Sequence, residues 1–265
     1  MRYSTTTLSL LDGFSKEPLP LQVVEVNPNQ LTKQSITLSV NGQTITLMEN
    51  QDYAMSVDGN DATGYRYTYN IKASAFEEDG ALREGAYVVT FFSEDAAGNA
   101  NSNRSNATVE EDGSENLLDI NFTLDNTDPL VRITGIENGE RITADQRDVV
   151  VYFSDSSEVA KVVINVNGKE IVLEGDELAA LNGQYTVHLT ESADDQIISA
   201  TVYDAAGNAI ESGSYSVYLN SNILRQFVHN RGLFFGSLAG VLVAGTGGFF
   251  LLAKKKKKKD EDETK

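Results

Sequence analysis

The feature that most constrains the fold is an internal repeat, because two structural signals occur twice in the same order. The first signal is an Asn-Gly dipeptide between two runs in which apolar and polar residues alternate. It occurs at Asn41-Gly42, within residues 35–47, and again at Asn167-Gly168, within residues 162–173. Both positions of a two-residue hairpin turn need φ > 0, which Asn and Gly tolerate. Each copy therefore predicts a β-hairpin.

The second signal is a strand that ends in Asp-Ala-Ala-Gly-Asn, at Asp95 and again at Asp204. The residues that precede each Asp by two, four, six and eight positions share one face of a strand. We expect these faces to point into the core of a β-sandwich: Ser93, Phe91, Val89 and Tyr87 in the first copy, and Val202, Ala200, Ile198 and Gln196 in the second. The Asp side chain caps the turn, and Gly98 or Gly207 supplies its left-handed residue.

The spacing of the two signals predicts two tandem sandwiches, at residues 18–126 and 127–220. The first copy is longer between its signals, which predicts an added strand within residues 65–76. Short alternating strands with few helical patterns are typical of two-sheet sandwiches. The short polar segment between the copies, around Asp125 and Asp128, predicts a stiff connection, with the next strand beginning after Pro129.

These residues resemble the tandem bacterial Ig-like domains of Gram-positive cell-surface proteins. The resemblance is in the strand that ends in Asp-Ala-Ala-Gly-Asn and in the Asp-Asn-Thr-Asp-Pro segment at 125–129, and it covers about residues 18–220. It implies an immunoglobulin-like sandwich with a stalk, adhesive or accessory role. Gln196 stands where such domains usually have Tyr, and residues 154–158 are unusually polar, so the second copy is the more divergent. No Leu-Pro-x-Thr-Gly motif supports covalent attachment to a cell wall.

The charge distribution excludes one class of partner. The net charge is −18, and the tail at residues 254–265 carries seven lysines against four acids, so the preceding residues sum to −21. A body this acidic repels phosphate backbones, and we therefore expect no nucleic-acid partner.

The C-terminal region predicts a membrane anchor. Residues 233–253 are uncharged, and as a helix they would span about 31 Å, close to the thickness of a hydrocarbon core. The six lysines that follow predict a cytoplasmic tail at 254–265, with the N-terminal part extracellular. Residues 221–232 predict a juxtamembrane helix capped by Ser221 or Asn222. The predicted partners here are the lipid bilayer and a second copy, through a stripe of small residues at 236, 240, 244 and 248.

An exported protein needs a signal peptide, which the first twenty residues do not supply. We therefore expect that residues 1–17 are a partial strand or a remnant of an upstream region, and that the mature protein extends N-terminally.

Catalytic patterns find no support, since the two histidines, His188 and His229, belong to no metal-binding or nucleophile motif and the chain has no cysteine. We predict a non-enzymatic protein and assign no catalytic, cofactor-binding or metal-binding residue. Ca²⁺ is the one candidate ligand, because oxygen donors cluster in the sequence at Asp125, Asp128, Asp155, Glu158 and the two Asp-Ala-Ala-Gly-Asn turns. Turn formation explains these residues without a metal and is the favoured interpretation.

The sequence therefore favours a stalk or adhesion segment of a bacterial surface protein. Two alternatives stay open: a module that itself binds a glycan or an extracellular protein, and the anchoring or accessory end of a larger secreted hydrolase.

Overall fold

The computed structural model describes residues 2–5, 13–18, 21–104 and 118–230. With 59% strand and 8% helix, it confirms the predicted all-β class. The chain divides into two compact units. The first contains Met1–Leu130, Phe153–Val162 and Val202–Ile210, and the second contains Val131–Tyr152, Val163–Thr201 and Glu211–Lys265.

The strands fall into two sets, which we call the first and second sandwich. Among its described residues, the first sandwich contains a short 3₁₀ helix (Ala73–Phe76) and twelve strands: β1 (Arg2–Thr5), β2 (Gly13–Ser15), β3 (Leu21–Asn27), β4 (Leu31–Val40), β5 (Gln43–Thr46), β6 (Tyr53–Asn60), β7 (Gly64–Ile71), β8 (Glu77–Glu78), β9 (Ala81–Leu82), β10 (Gly85–Asp95), β11 (Ala100–Ser102) and β12 (Ile120–Leu124).

The second sandwich follows directly along the chain. Its elements, with two short helices, are β13 (Leu130–Thr134), β14 (Glu140–Ile142), β15 (Gln146–Ser154), β16 (Val159–Val166), β17 (Lys169–Glu174), α1 (Gly175–Ala179), β18 (Gln184–Thr190), β19 (Gln196–Asp204), β20 (Ala209–Glu211), β21 (Tyr215–Leu219) and α2 (Ile223–His229).

The two sandwiches share one sheet topology, except that the first has one more edge strand, β6. In the first, the order β1-β3-β7-β6 forms one sheet and β2-β12-β10-β4-β5 the other. In the second, the corresponding orders are β13-β15-β18 and β14-β21-β19-β16-β17. In each, a short strand pairs in parallel with the last strand, β2 with β12 and β14 with β21. These orders correspond to the two packed sheets of an immunoglobulin-like sandwich.

The hairpins and the inner faces form where the sequence predicts them. Asn41, Gly42, Asn167 and Gly168 all have φ between 52° and 82°, as a hairpin turn between twisted strands requires. All eight residues of the two predicted inner faces are buried. In the first sandwich, side chains of both sheets meet in one core, in which Tyr87 stacks on Phe122 with ring centroids 5.2 Å apart.

The added strand of the first copy lies earlier than predicted. Residues 65–76 hold β7, whose counterpart β18 exists in the second copy, and the additional strand is β6. It pairs with β7 along its whole length, from Tyr53 opposite Ile71 to Asn60 opposite Gly64. Apolar and polar residues alternate in β6 as well as in β7, so the sequence did not show which of the two strands was the additional one.

The predicted localisation as a single-pass membrane protein is contradicted. Among the described residues, neither α1 nor α2 nor any other helix has the length and apolar character needed to cross a bilayer. The predicted transmembrane helix at 233–253, its self-association and the tail at 254–265 lie outside the described residues. Within the predicted juxtamembrane segment, α2 begins after Asn222, whose side chain accepts hydrogen bonds from the amides of Leu224 and Arg225.

Candidate metal centre

Three aspartates from distant parts of the chain come together in the first compact unit. Asp125 follows β12, Asp155 follows β15, and Asp204 is the last residue of β19. One carboxylate oxygen of each lies within 4.8 Å of those of the other two. Each aspartate lies where a strand ends, so the strands fix the loops that carry the three side chains.

Asp125 is the most confined of the three. Its side chain is 3% exposed. Oδ1 accepts a hydrogen bond of 3.0 Å from the amide of Thr127, whereas Oδ2 is buried and has no hydrogen-bond partner among the described residues. The Thr127 hydroxyl donates to Glu84 at 2.9 Å, which holds the turn after Asp125 in place. A carboxylate oxygen that is buried and unpaired is costly, and such an atom calls for a specific explanation.

Asp155 repeats this arrangement. Its Oδ1 accepts hydrogen bonds from both the amide and the hydroxyl of Ser157, at 2.7 and 2.8 Å. Its Oδ2 is buried and has no hydrogen-bond partner within the described part of the chain. Two aspartates of the cluster therefore each direct one oxygen to local turn contacts and leave the other oxygen free.

Asp204 is fixed by the last residue of its own turn. The amide and the side-chain amide of Asn208 donate to its two oxygens at 2.8 and 2.7 Å. The same Asn208 side chain also donates to the Asp125 carbonyl at 2.9 Å. Asn208 therefore joins two members of the cluster, a role that the sequence analysis missed because it assigned this residue to the turn alone.

The cluster carries three negative charges, and none of the salt bridges among the described residues includes any of its members. Two unit charges separated by about 4.8 Å repel by about 3–4 kcal/mol at the effective dielectric constant of a protein surface. A bound cation removes this repulsion. Hard oxygen donors of this kind, held on loops, suit Ca²⁺. The donor set and the two orphaned oxygens therefore fit a divalent cation.

The other candidates of the sequence analysis do not join the cluster. Asp128 and Glu158 are exposed, and Glu158 contributes its backbone carbonyl to the amide of Ala205 at 2.9 Å. His188 forms an exposed pair with Asp148 at 2.7 Å, and His229 stacks on Tyr218 at 3.8 Å.

The turn at Asp95 is satisfied by neutral groups. Oδ1 accepts from the amides of Ala97 and Asn99, both at 2.9 Å. Oδ2 accepts from the side-chain amides of Asn29 and Asn99, at 2.8 and 2.9 Å. The hydrogen bonds from Asn99 and then Asn29 lower the pKa of Asp95 from 3.8 to about 2. This carboxylate needs no metal.

No family model and no curated protein matches the chain. Solved structures do match. Fibronectin(III)-like modules of Clostridium thermocellum CbhA are 12% identical, with 82% of this chain and 94% of that one covered and a TM-score of 0.33. A Ca²⁺-stabilised ice-binding adhesin of an Antarctic bacterium is 20% identical, with 83% and 48% covered and a TM-score of 0.34. A marsupial T cell receptor is 8% identical, with 82% and 72% covered and a TM-score of 0.41. At this level of similarity, these proteins indicate no function for the chain.

Proposed function

We propose that the chain is a non-enzymatic segment of a bacterial surface protein, in which the two immunoglobulin-like sandwiches form a stalk or adhesion module stabilised by Ca²⁺. The observation that carries the proposal is the aspartate cluster, and above all Asp125, whose Oδ2 is buried beside two further carboxylates without a hydrogen-bond donor. Turn formation explains one oxygen of Asp125 and one of Asp155, but it leaves the second oxygen of each unexplained.

In this proposal, Asp125, Asp155 and Asp204 hold the ion, and the ion neutralises their charge. Asn208 positions two of the ligands, because its side-chain amide donates to the Asp204 carboxylate and to the Asp125 carbonyl. The bound ion would fix the loops that follow β12, β15 and β19 relative to one another. A ligand that binds only the folded state stabilises that state by mass action, so the bound ion would stabilise the module.

The test compares thermal unfolding of the chain with and without Ca²⁺. At a Ca²⁺ concentration of 100 times the dissociation constant, we expect about 2.7 kcal/mol of stabilisation in the native chain. The substitution Asp155→Asn removes one ligand with little change in shape and should abolish most of this effect. Without Ca²⁺, the same variant should be no less stable than the native chain, because one repelling charge is gone.

The matched control is Asp128→Asn, which makes the same chemical change at an exposed aspartate three residues from Asp125. It should leave the response to Ca²⁺ unchanged. Equal calcium responses in the native chain and in Asp155→Asn would show that these aspartates hold no ion.

The alternatives of a glycan- or protein-binding module and of an accessory segment of a secreted hydrolase stay hypotheses, as does the absence of catalytic activity. Screening the chain against immobilised bacterial and host glycans, and against extracellular matrix proteins, tests the first directly.

A further inference from the structure

A second acidic feature lies inside the first sandwich, away from the aspartate cluster. Glu25 on β3 is 0% exposed. Ser93 on β10, in the opposite sheet, donates to its Oε1 at 2.6 Å. Tyr69 on β7 donates to its Oε2 at 3.1 Å. The hydroxyl of Tyr3 on β1 lies 2.9 Å from Ser93 Oγ and extends the network. One carboxyl group therefore connects four strands and both sheets.

Among the residues that the structure describes, the groups that face this carboxyl are all neutral. They are Tyr3, Tyr69 and Ser93, together with Asn27 from its own strand. None of the salt bridges within the described part of the chain includes Glu25. An ionised carboxylate in a buried place needs a cation or a full set of donors, and without them it takes up a proton instead. Burial accordingly raises the pKa of Glu25, against the opposing effect of the hydrogen bonds from Ser93 and Tyr69.

The hydroxyl network accommodates either state of the carboxyl. An ionised Glu25 accepts from Ser93 and Tyr69, as in the structure. A protonated Glu25 can donate its own O–H to Ser93 Oγ, because a hydroxyl both donates and accepts and can rotate. The proton comes from solvent, and no other group has to change its charge. Only the neutral state avoids the burial of an uncompensated charge.

The second sandwich has no such network. The amides of Ala96 and Ala205 donate to the carbonyls of Gln30 and Glu158 respectively, both at 2.9 Å, which makes these two acceptors counterparts. Counting back five positions from each gives Glu25 in the first sandwich and Phe153 in the second. Counting back two from the aspartates gives Ser93 and Val202. Phe153 and Val202 are buried and apolar, so these two positions of the second sandwich offer no carboxyl or hydroxyl group.

We propose that Glu25 is a proton-binding site that couples the stability of the first sandwich to pH, so that its two sheets hold together most firmly in acidic surroundings. A carboxyl group whose pKa is raised by folding stabilises the folded state fully below its ordinary pKa, here 4.5. This contribution is lost as the pH rises through the higher pKa of the folded state. The second sandwich lacks the group and should not share this dependence.

The experiment measures amide hydrogen exchange of the full chain between pH 5 and pH 8, corrected for the intrinsic exchange rate at each pH. The reporting segments are Leu21–Asn27 and Gly85–Asp95, which carry Glu25 and Ser93. Between these pH values, protection in the native chain should fall relative to that in Glu25→Gln by about tenfold for each unit by which the pKa of Glu25 in the folded state exceeds 5. Glu77→Gln changes an exposed glutamate of the same sandwich and should follow the native chain.

A second measurement does not depend on the variant being folded. The infrared C=O stretch of a protonated carboxylic acid should persist in the folded native chain at a pH where exposed carboxylates are ionised, and it should disappear on unfolding. The proposal is overturned if this band is absent at every pH above 5. It is also overturned if a folded Glu25→Gln variant has the same pH dependence of protection as the native chain.

Discussion

The Asp-Ala-Ala-Gly-Asn turns of the two sandwiches share a backbone hydrogen bond but differ in the groups that surround the Asp carboxylate. In both, the Asp amide donates to the Asn carbonyl, at 3.0 Å for Asp95 and 3.1 Å for Asp204. At Asp95, the side-chain amide of Asn29 completes the set of neutral donors. At Asp204, the counterpart of Asn29 is Ser157, which donates to Asp155 instead. The first turn is therefore self-sufficient, and the second leaves charge for a cation.

The two turns differ because of a few side chains on the loop that lies next to each of them. The loop after β3 reads Asn-Pro-Asn-Gln from Asn27, and the loop after β15 reads Asp-Ser-Ser-Glu from Asp155. Asn27 and Asp155 each accept a bond from the amide two residues later, at 3.0 and 2.7 Å, so they are counterparts. The same turn can thus be completed by neutral hydrogen-bond donors or form part of an ion site. Which of the two occurs depends on whether the neighbouring side chains are amides or carboxylates.

The largest effect is expected from making the first loop resemble the second. Asn27 is 0% exposed and its side chain faces Glu25, so Asn27→Asp would bury a negative charge there without the three acids of the aspartate cluster. An uncompensated buried charge costs about 3–5 kcal/mol. Urea denaturation at neutral pH should show this loss, and Ca²⁺ should recover little of it.

The control for that substitution is Gln30→Glu, which adds the same charge at an exposed position on the same loop. It should change the free energy of unfolding by less than about 0.5 kcal/mol. If Asn27→Asp is instead as stable as the native chain once Ca²⁺ is added, two acids and the turn suffice for an ion site. The contrast between the loops would then rest on one residue.

A smaller effect is expected from removing the neutral donor at Asp95. Asn29→Ser gives the first loop the residue that the second loop has, and it deletes the hydrogen bond to Asp95 Oδ2. The pKa of Asp95 should rise from about 2 only part of the way to its ordinary 3.8, because the hydrogen bonds from Asn99 remain. A carboxyl group whose pKa is lowered by folding stabilises the folded state above pH 3.8, and this contribution is lost as the pH falls to about 2. In Asn29→Ser, the pH range over which stability is lost should therefore be narrower.

Carboxyl carbon NMR of Asp95 measures that change directly. Asn29→Asp would be the wrong control because it adds a charge, whereas Thr32→Ser alters a nearby residue and leaves both side-chain amides in place. An unchanged pKa in Asn29→Ser would mean that Asn99 alone holds this carboxylate, and that the two turns differ less than their hydrogen bonds indicate.

The repeat revealed most of the fold because its signals are local. Asn-Gly turns need φ > 0 at adjacent positions, and the alternating faces before Asp95 and Asp204 need only the period of a strand, so both could be predicted from sequence. The position of the added strand could not, because β6 and β7 pair with each other and both alternate. The aspartate cluster was visible only as separate acids, since its members lie 30 and 49 positions apart along the chain and tertiary folding brings them together. The Glu25 network was not recognised for the same reason.

The smallest effect concerns the start of the strand that leads into each turn. Tyr87 donates its hydroxyl to the Arg83 carbonyl at 2.6 Å, the tyrosine corner of immunoglobulin-like folds. In the second sandwich, Gln196 donates its side-chain amide to the Thr190 carbonyl at 2.9 Å and takes over this role.

Tyr87→Phe keeps the ring on Phe122 and loses only the hydrogen bond, so we expect a cost of about 1 kcal/mol. Gln196→Met should cost about the same, because it also removes one side-chain hydrogen bond to a backbone carbonyl. Hydrogen exchange in β10 and β19 measures the two costs separately, with Tyr185→Phe in the neighbouring sheet as the control. If Tyr87→Phe is costly while Gln196→Met is neutral, the glutamine does not replace the corner, and the second sandwich closes its strand by packing alone.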